Sequence, residues 1–218
     1  MYEHGDFAHF ELTCGLYPTL DDDEDQVLPV ALARARAHYP VNGRESMTTL
    51  VVTNARRISI NAQLNTLHAQ RHEATFVAYD GENVKCQSVY LWIGIVLQAV
   101  VTERTGTHNL KNALRFCVLA VDDTSTTLTL IDDKGRQGSE FMTPMELAEK
   151  PYWNPFDMLT FMVPHKFVPT HAITYDSSQA RTLHGGVRMT QTDHPRMTLR
   201  KLIVDLGRAP LGIDVQVE

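Results

Sequence analysis

The stretch from His171 to Pro210 holds most of the side chains in this sequence that could do chemistry. It carries one arginine and one glutamine near several hydroxyl groups, namely Arg208, Gln179, Thr174, Ser178 and Thr182. Hydroxyls can hydrogen-bond the backbone of a nucleic acid, and they can also take up the free N–H groups at a helix start. The paired serines lack the G-x-S-x-G context of a nucleophile. The histidines show no metal-ligand spacing, so no metal site is predicted.

These side chains need elements to position them, and the same stretch has the order of a strand, a polar turn, a short helix, a strand and a second helix. Ile173 and Tyr175 belong to an apolar run with β-forming residues. Val187 and Met189 alternate with polar neighbours, as in a half-buried strand. The second helix is predicted from apolar residues at helical spacing followed by a glycine: Leu199, Leu202, Ile203, Leu206 and Gly207.

Two runs in this stretch resemble known motifs. ITYDSSQARTL resembles motif V of superfamily 1 helicases of the RecD and Pif type, which usually reads T-I-H-K-S-Q-G-x-T-L. LIVDLGRAP is similar to motif VI of the same helicases, which usually reads Y-V-A-L-S-R. Two motifs in this order are more specific than either alone. The resemblance implies an α/β fold, the second of two RecA-like motor domains of the P-loop NTPase type.

By this resemblance, Arg208 is the motif VI arginine, which would approach the γ-phosphate of a nucleotide across a cleft and stabilise charge in the transition state. Gln179 falls on the motif V glutamine, expected near the nucleotide. Thr174, Ser178 and Thr182 fall on positions expected to hydrogen-bond the backbone of single-stranded DNA. Structural alternatives stay open: the arginine could complement a helix C-terminus, and the hydroxyls could cap a helix.

Several residues depart from the two motifs. Ala180 replaces a glycine that would let the backbone approach a phosphate closely. Asp176 and Ser177 stand where a histidine and a basic residue are common. Asp205 and Gly207 replace the usual alanine and serine of motif VI. These departures predict weakened binding of a DNA strand and leave open a repurposed motor half.

An earlier run, TLVVTNARRISINAQLN, resembles motif IV, with matches at Thr53, Asn54, Ile60 and Asn61. It is predicted to form a strand that feeds a helix, the repeating unit of α/β folds. The resemblance implies that Thr53 and Asn54 also contact DNA.

Residues 74–142 contain short β-type runs separated by turn signals such as Asp80-Gly81. Strands at this spacing favour a small barrel or meander. In helicases of the RecD and Pif type, an SH3-like module is inserted between motifs IV and V. Gly94 and Asn112 match its pattern, whereas Ala113 and Phe116 stand where glycines are common.

The predicted organisation is a helical lead-in over 1–45, a RecA-like domain over 46–80 and 165–218, and an SH3-like β insertion with a short helix over 81–164. The apolar face of QVLPVALARARAHYP predicts a helix in the lead-in that stops before Pro40. An acidic run from Asp21 to Asp25 precedes it, in favourable interaction with the helix dipole.

The nucleotide cradle of such helicases is a G-x-x-x-x-G-K-[ST] loop, and no Gly-Lys dipeptide occurs in this sequence. The acidic run from Asp21 to Asp25 does not end an apolar strand, so no carboxylate pair for magnesium is recognised. The chain is therefore expected to hydrolyse no ATP alone. ATP and magnesium would be bound only together with a separate N-terminal RecA-like half, of which this chain would be the complement.

Composition limits the partners of the chain. Its 218 residues carry a net charge of −6, which argues against tight, independent binding of DNA. No apolar run approaches the ~20 residues of a membrane span, and the first residues lack the order of a secretory signal. An intracellular protein of the nucleus or cytoplasm, with no membrane partner, is predicted.

Two functions are compatible with these observations. The first is the C-terminal half of an ATP-dependent DNA helicase, which contacts single-stranded DNA and supplies an arginine to a nucleotide held by the N-terminal half. The second is a catalytically inactive, helicase-derived module that binds nucleic acid or protein. Gln179 and Arg208 favour the first function, and the acidic charge with Asp176 and Ala180 favours the second.

Overall fold

The computed structural model describes residues 24–42, 48–105, 108–132, 136–137, 154–178, 183, 186–208 and 215–218. They belong to two compact units. Of the described residues, those up to Thr53 and from Ile173 onward form the first unit, and those between Asn54 and Ala172 form the second. These limits differ from the predicted 81–164, because the helix that follows Thr53 belongs to the second unit.

The helices and strands, in chain order, are α1 (Glu24–His38), β1 (Thr48–Val51), α2 (Asn54–Ala69), β2 (Thr75–Val77), β3 (Val89–Leu91), β4 (Val96–Ala99), β5 (Glu103–Thr105), β6 (His108–Leu110), β7 (Arg115–Val121), β8 (Ser125–Ile131), β9 (Phe156–Leu159), α3 (Val163–Lys166), β10 (Phe167–Pro169), β11 (Ala172–Thr174), α4 (Tyr175–Ser178), β12 (Val187–Met189), α5 (Leu199–Leu206) and β13 (Val215–Val217).

The first unit is built on a four-stranded sheet of order β11-β1-β12-β13. β12 runs parallel to both β1 and β13, with Leu50 opposite Met189 and Val187 opposite Val215. These apolar residues are buried, as expected for a parallel sheet that is covered on its faces. The mixed α/β class, predicted from the sequence, is confirmed, and its sheet is parallel between β1, β12 and β13.

Helix α1 packs against α5 and β13, so part of the predicted lead-in belongs to the core of the first unit. Its buried face is Ala31, Leu32 and Ala35. Near its end, the Arg36 side chain donates to the carbonyl of Glu218 (2.8 Å) and to the Thr192 hydroxyl (2.6 Å). The acidic run from Asp21 to Asp25 lies outside the residues whose side chains are described.

Helix α5 follows the predicted pattern. Thr198 has extended backbone, and its hydroxyl accepts a hydrogen bond from the Lys201 N–H (3.2 Å), which caps the helix. Leu199, Leu202 and Leu206 form its buried face. The helix ends at Leu206, so Arg208 lies two residues beyond it.

The second unit contains a five-stranded antiparallel sheet of order β10-β4-β7-β8-β9, with the hairpins β2-β3 and β5-β6. Three phenylalanines meet edge to face in its core, since Phe116 lies 5.8 Å from Phe156 and 5.3 Å from Phe167 between ring centroids. The strands agree with the predicted meander. The identity of the second unit as an SH3-like module stays a prediction.

Ala113 stands where the SH3-like pattern commonly has glycine, and its backbone explains that preference. It has a φ of 77°, a left-handed conformation that costs energy for a residue with a Cβ. The Ala113 N–H donates to the Ala99 carbonyl (2.8 Å), which holds the turn in place. Phe116, in contrast, is a buried core residue with no such requirement.

Helix α2 binds two other segments through paired asparagine side chains. Asn61 is completely buried and forms two hydrogen bonds with Ala172, accepting from its N–H (2.7 Å) and donating to its carbonyl (3.1 Å). Asn65, one turn later and 2% exposed, does the same with Tyr90 at 2.7 and 2.9 Å. Each amide therefore pairs the N–H and the carbonyl of one residue, as a neighbouring strand would. Asn61, which was predicted to belong to motif IV, thus has a structural role.

Beside this helix, Trp92 stacks on His72, with ring centroids 5.0 Å apart and planes 3° apart. Trp92 also lies 6.5 Å from His171, and the His171 ring lies 4.9 Å from the His68 ring, between ring centroids. Burial first, and then the neighbouring His68, lower the pKa of His171 to about 4. These histidines therefore have a packing role.

The clamp formed by Asn61 can be tested by Asn61→Ala. We expect this substitution to lower the free energy of unfolding by ~2–4 kcal/mol, because it leaves the buried N–H and carbonyl of Ala172 without partners. Urea denaturation measures the loss. Gln63→Ala on the exposed side of the same helix is the control, with a change within about 0.5 kcal/mol. Equal effects of both substitutions would contradict the clamp.

Candidate functional site

The candidate site of the first unit lies beyond the carboxyl ends of the parallel strands, where α/β sheets usually bind ligands. Thr53 follows β1 by two residues, and Gln191 follows β12 by two residues. The Gln191 side chain accepts hydrogen bonds from the N–H groups of Val52 (3.0 Å) and Thr53 (3.2 Å). Its amide nitrogen also lies 3.5 Å from the Thr53 hydroxyl. Gln191 therefore fixes the backbone of the predicted DNA-contacting residue Thr53.

Gln191 was missed by the sequence analysis. Its φ of 56° places it in the left-handed region, which few residues other than glycine adopt. The sequence feature that could have identified Gln191 is its position, a polar residue two places after a half-buried strand. Nothing in the local sequence, however, indicates that its side chain pairs with a segment 138 residues away.

Thr174 and Ser177 organise the start of the short helix α4. The two hydroxyl groups lie 2.8 Å apart, and the Thr174 hydroxyl accepts from the Ser177 N–H (3.3 Å). Both side chains are half-buried. The helix-capping alternative for Thr174 is thus satisfied in this structure, and its contact with DNA stays a prediction.

Ser178 faces the interior and has no exposed surface. Its hydroxyl is hydrogen-bonded to the carbonyl of Tyr175 (2.7 Å) and to the carboxyl group of Asp205 on α5. The Tyr175 hydroxyl donates to the Thr190 carbonyl (2.9 Å), which anchors α4 to the end of β12. This geometry favours the structural alternative for Ser178 over direct contact with DNA.

Asp205 is the buried carboxyl group of the site, with 2% of its surface exposed. Burial raises its pKa to about 6, against the opposing hydrogen bond from Ser178 and the positive charges of Arg208 and Lys201. A carboxyl pKa that is raised on folding adds stability at low pH, and this contribution is lost as the pH rises through about 6.

Arg208 lies just after α5, and three links hold its surroundings to the segment around motif V. The Leu183 N–H donates to the Arg208 carbonyl (2.8 Å), Lys201 pairs with Asp176 (3.5 Å), and Ser178 is bonded to Asp205. The Arg208 side chain is half-buried, and its Nε atom is buried with no hydrogen-bond partner among the described residues. The structure thus brings together the two segments that resemble motifs V and VI.

The remaining predicted site residues are placed differently. Asn54 is exposed at the first residue of α2, in the second unit, where its side chain accepts a hydrogen bond from Arg57 Nε (3.2 Å). Gln179 and Thr182 lie outside the described residues. Within the described part of the chain, no group of three or more His, Cys, Asp or Glu residues could hold a metal ion. No described helix is long and apolar enough to cross a membrane.

Comparisons with known proteins give a structural likeness only. No family model and no curated protein sequence matches the chain. Among solved structures, Pif1 helicase from Bacteroides in complex with ADP-AlF3 and ssDNA aligns with a TM-score of 0.54 at 14% identity, covering 100% of this chain and 49% of that chain. Pif1 helicase from Candida albicans aligns with a TM-score of 0.52 at 14% identity, covering 97% and 52%.

A third Pif1 structure, from work on DNA unwinding at forked dsDNA by two coordinating helicases, gives a TM-score of 0.53 at 14% identity and covers 97% of this chain and 46% of that chain. At these identities the likeness shows the fold. The parallel sheet with its helices matches a RecA-like domain of Pif1 helicases, and the chain spans about half the length of the helicases it matches. The Pif-type resemblance is thereby confirmed for the fold.

The role of Gln191 can be tested by hydrogen exchange. In Gln191→Ala, the N–H groups of Val52 and Thr53 lose their acceptor, so we expect their exchange to be faster by roughly 10- to 100-fold. Gln191→Glu keeps an acceptor oxygen and should retain most of the protection. Unchanged exchange at both residues in the alanine variant would show that Gln191 does not hold this loop.

Proposed function

We propose that this chain is the second RecA-like motor domain of a superfamily 1 DNA helicase of the Pif type, with an SH3-like insertion in its β-rich unit. The observation that carries the proposal is the structural likeness of the whole chain to about half of several Pif1 helicases. The proposed function is to contact single-stranded DNA and to supply Arg208 to a nucleotide that a separate N-terminal half binds.

The surroundings of Arg208 support its role. No ion pair of its guanidinium with a carboxylate within 4.0 Å is found among the described residues, and its side chain is not sealed in the interior. A planar, permanently charged group on a half-exposed side chain suits the stabilisation of phosphate charge across an interface. ATP and magnesium would come with the N-terminal half, since this sequence lacks the Gly-Lys pair of a phosphate-binding loop.

The DNA-facing residues follow from the same proposal. Two of the Bacteroides Pif1 structures were determined with ssDNA. We assign contact with a single strand to Thr53, Asn54, Thr174 and Thr182, whereas Gln179 would lie near the nucleotide. Ser178 would instead stabilise this segment through its buried hydrogen bonds to Tyr175 and Asp205. Because the hydroxyls and backbone groups bind phosphates without reading bases, binding would be independent of sequence and would weaken as salt rises.

A second candidate function, an inactive module that binds nucleic acid or protein, is favoured by one feature. The Asp176 side chain is 68% exposed at a position where motif V usually has a histidine, so it places a negative charge where a strand would pass. The net charge of −6 acts in the same direction.

The proposed function is tested by adding the purified chain to a nucleotide-binding half from its genomic neighbourhood and measuring DNA-stimulated ATPase activity. We expect stimulation that falls by roughly 10³-fold in Arg208→Ala and is poorly restored by Arg208→Lys. Arg200→Ala, on the exposed face of α5, is the matched control and should keep full stimulation.

Stimulation that is unaffected by Arg208→Ala would reject the role of this arginine. Absence of any stimulation, together with retained binding of the partner half, would favour the inactive module.

A further inference from the structure

The Ser178 hydroxyl has one proton and lies against two groups that can each accept it, the Tyr175 carbonyl and the ionised Asp205 carboxyl group. Its oxygen is bonded both to the Tyr175 carbonyl (2.7 Å) and to the Asp205 carboxyl group. A serine hydroxyl has one proton to donate, and a carbonyl can only accept. If Ser178 donates to Tyr175, the bond to Asp205 can form only when Asp205 carries a proton and donates it.

Burial supports this distribution of protons. Both side chains are nearly or fully removed from water, and desolvation disfavours the charged form of a carboxyl group. The ionisable groups that act on the site come from α4 and from α5 with its end: Tyr175, Asp176, Lys201 and Arg208. Lys201 and Arg208 favour the carboxylate, Asp176 opposes it, and Lys201 is partly neutralised by its ion pair with Asp176 (3.5 Å).

We propose that Asp205 is a positioning residue for Arg208. Protonated Asp205 donates a hydrogen bond to Ser178 and leaves Arg208 available to a phosphate. Ionised Asp205 competes with the phosphate for Arg208. The role of Arg208 in this statement rests on the proposed function. The protonated bond between Asp205 and Ser178 does not.

Phosphate binding by Arg208 should therefore depend on pH. Motif VI usually has alanine at the position of Asp205, so the resemblance itself implies no such carboxyl group. Since the pKa of Asp205 is raised to about 6, the carboxylate becomes the main form at neutral pH and above. The negative charge then lies three residues before Arg208, and the bond to Ser178 is weakened. Phosphate binding by Arg208 would therefore be stronger at pH 5.5 than at pH 8.

The first test follows the Asp205 carboxyl carbon by NMR in the wild-type chain and in Ser178→Ala. We expect a midpoint in the wild type that burial raises well above the ordinary value of a carboxyl group. If Asp205 donates to Ser178, the substitution removes an interaction of the neutral form, and the pKa falls. If instead Ser178 donates to the carboxylate, its removal raises the pKa, and the proposal is overturned.

A second measurement uses Asp205→Asn, whose amide is a permanent donor to Ser178. Relative to this variant, the wild-type unfolding equilibrium should shift towards the unfolded state by roughly 50-fold between pH 4 and pH 7, as a carboxyl pKa raised by about two units requires. Asp205→Ala keeps no donor and should be less stable than Asp205→Asn at both pH values. Parallel pH curves for the wild type and Asp205→Asn would contradict a protonated Asp205.

The third measurement is the pH profile of DNA-stimulated ATPase activity in the presence of the nucleotide-binding half. We expect the wild-type rate to fall above pH 6 relative to Asp205→Asn, whose profile lacks this step. Identical profiles would overturn the competition for Arg208. If no ATPase activity is found at all, the proposed function fails, while the NMR and unfolding experiments still decide the protonated bond.

Discussion

The structure depends on one constraint: buried backbone N–H and carbonyl groups must be paired, although most strands have only three or four residues. Side-chain amides supply partners that such short ladders cannot. Asn61 and Asn65 each pair both groups of one residue in the second unit, and Gln191 pairs two N–H groups in the first. Replacing one such amide leaves unpaired groups in the interior, and that cost explains the choice of asparagine and glutamine at these positions.

The same constraint determines how the candidate site is assembled. The segments of motifs V and VI meet through polar links, the bond of Ser178 with Asp205 and the bond of the Leu183 N–H with the Arg208 carbonyl. Polar bonds have strict geometry, so they set the position of Arg208 more narrowly than apolar packing does. The bond of Ser178 with Asp205 also depends on the protonation of Asp205, which makes the site sensitive to pH changes that leave an apolar core unchanged.

Local patterns predicted much of this fold. The spacing of apolar residues predicted α5, Pro40 marked the end of α1, and a β-rich run followed by Asn54 predicted β1 and α2. The parallel pairing of β1 with β12 could not be read from the sequence alone, because the two strands lie far apart in the chain and neither specifies its partner. The resemblance to motif V did not reveal the inward orientation of Ser178, whose hydroxyl is bonded to Asp205, a residue that departs from motif VI.

The central proposal is that Arg208 contacts the phosphates of a nucleotide bound by a separate N-terminal half. Its most direct test is whether the association of the two halves depends on the state of the nucleotide. The affinity of the chain for a nucleotide-binding half should be about tenfold or more higher with ADP and aluminium fluoride than with ADP alone, a difference of at least ~1.4 kcal/mol. Arg208→Ala should abolish that difference. Equal affinities in both nucleotide states, or an increase that survives the substitution, would contradict the account.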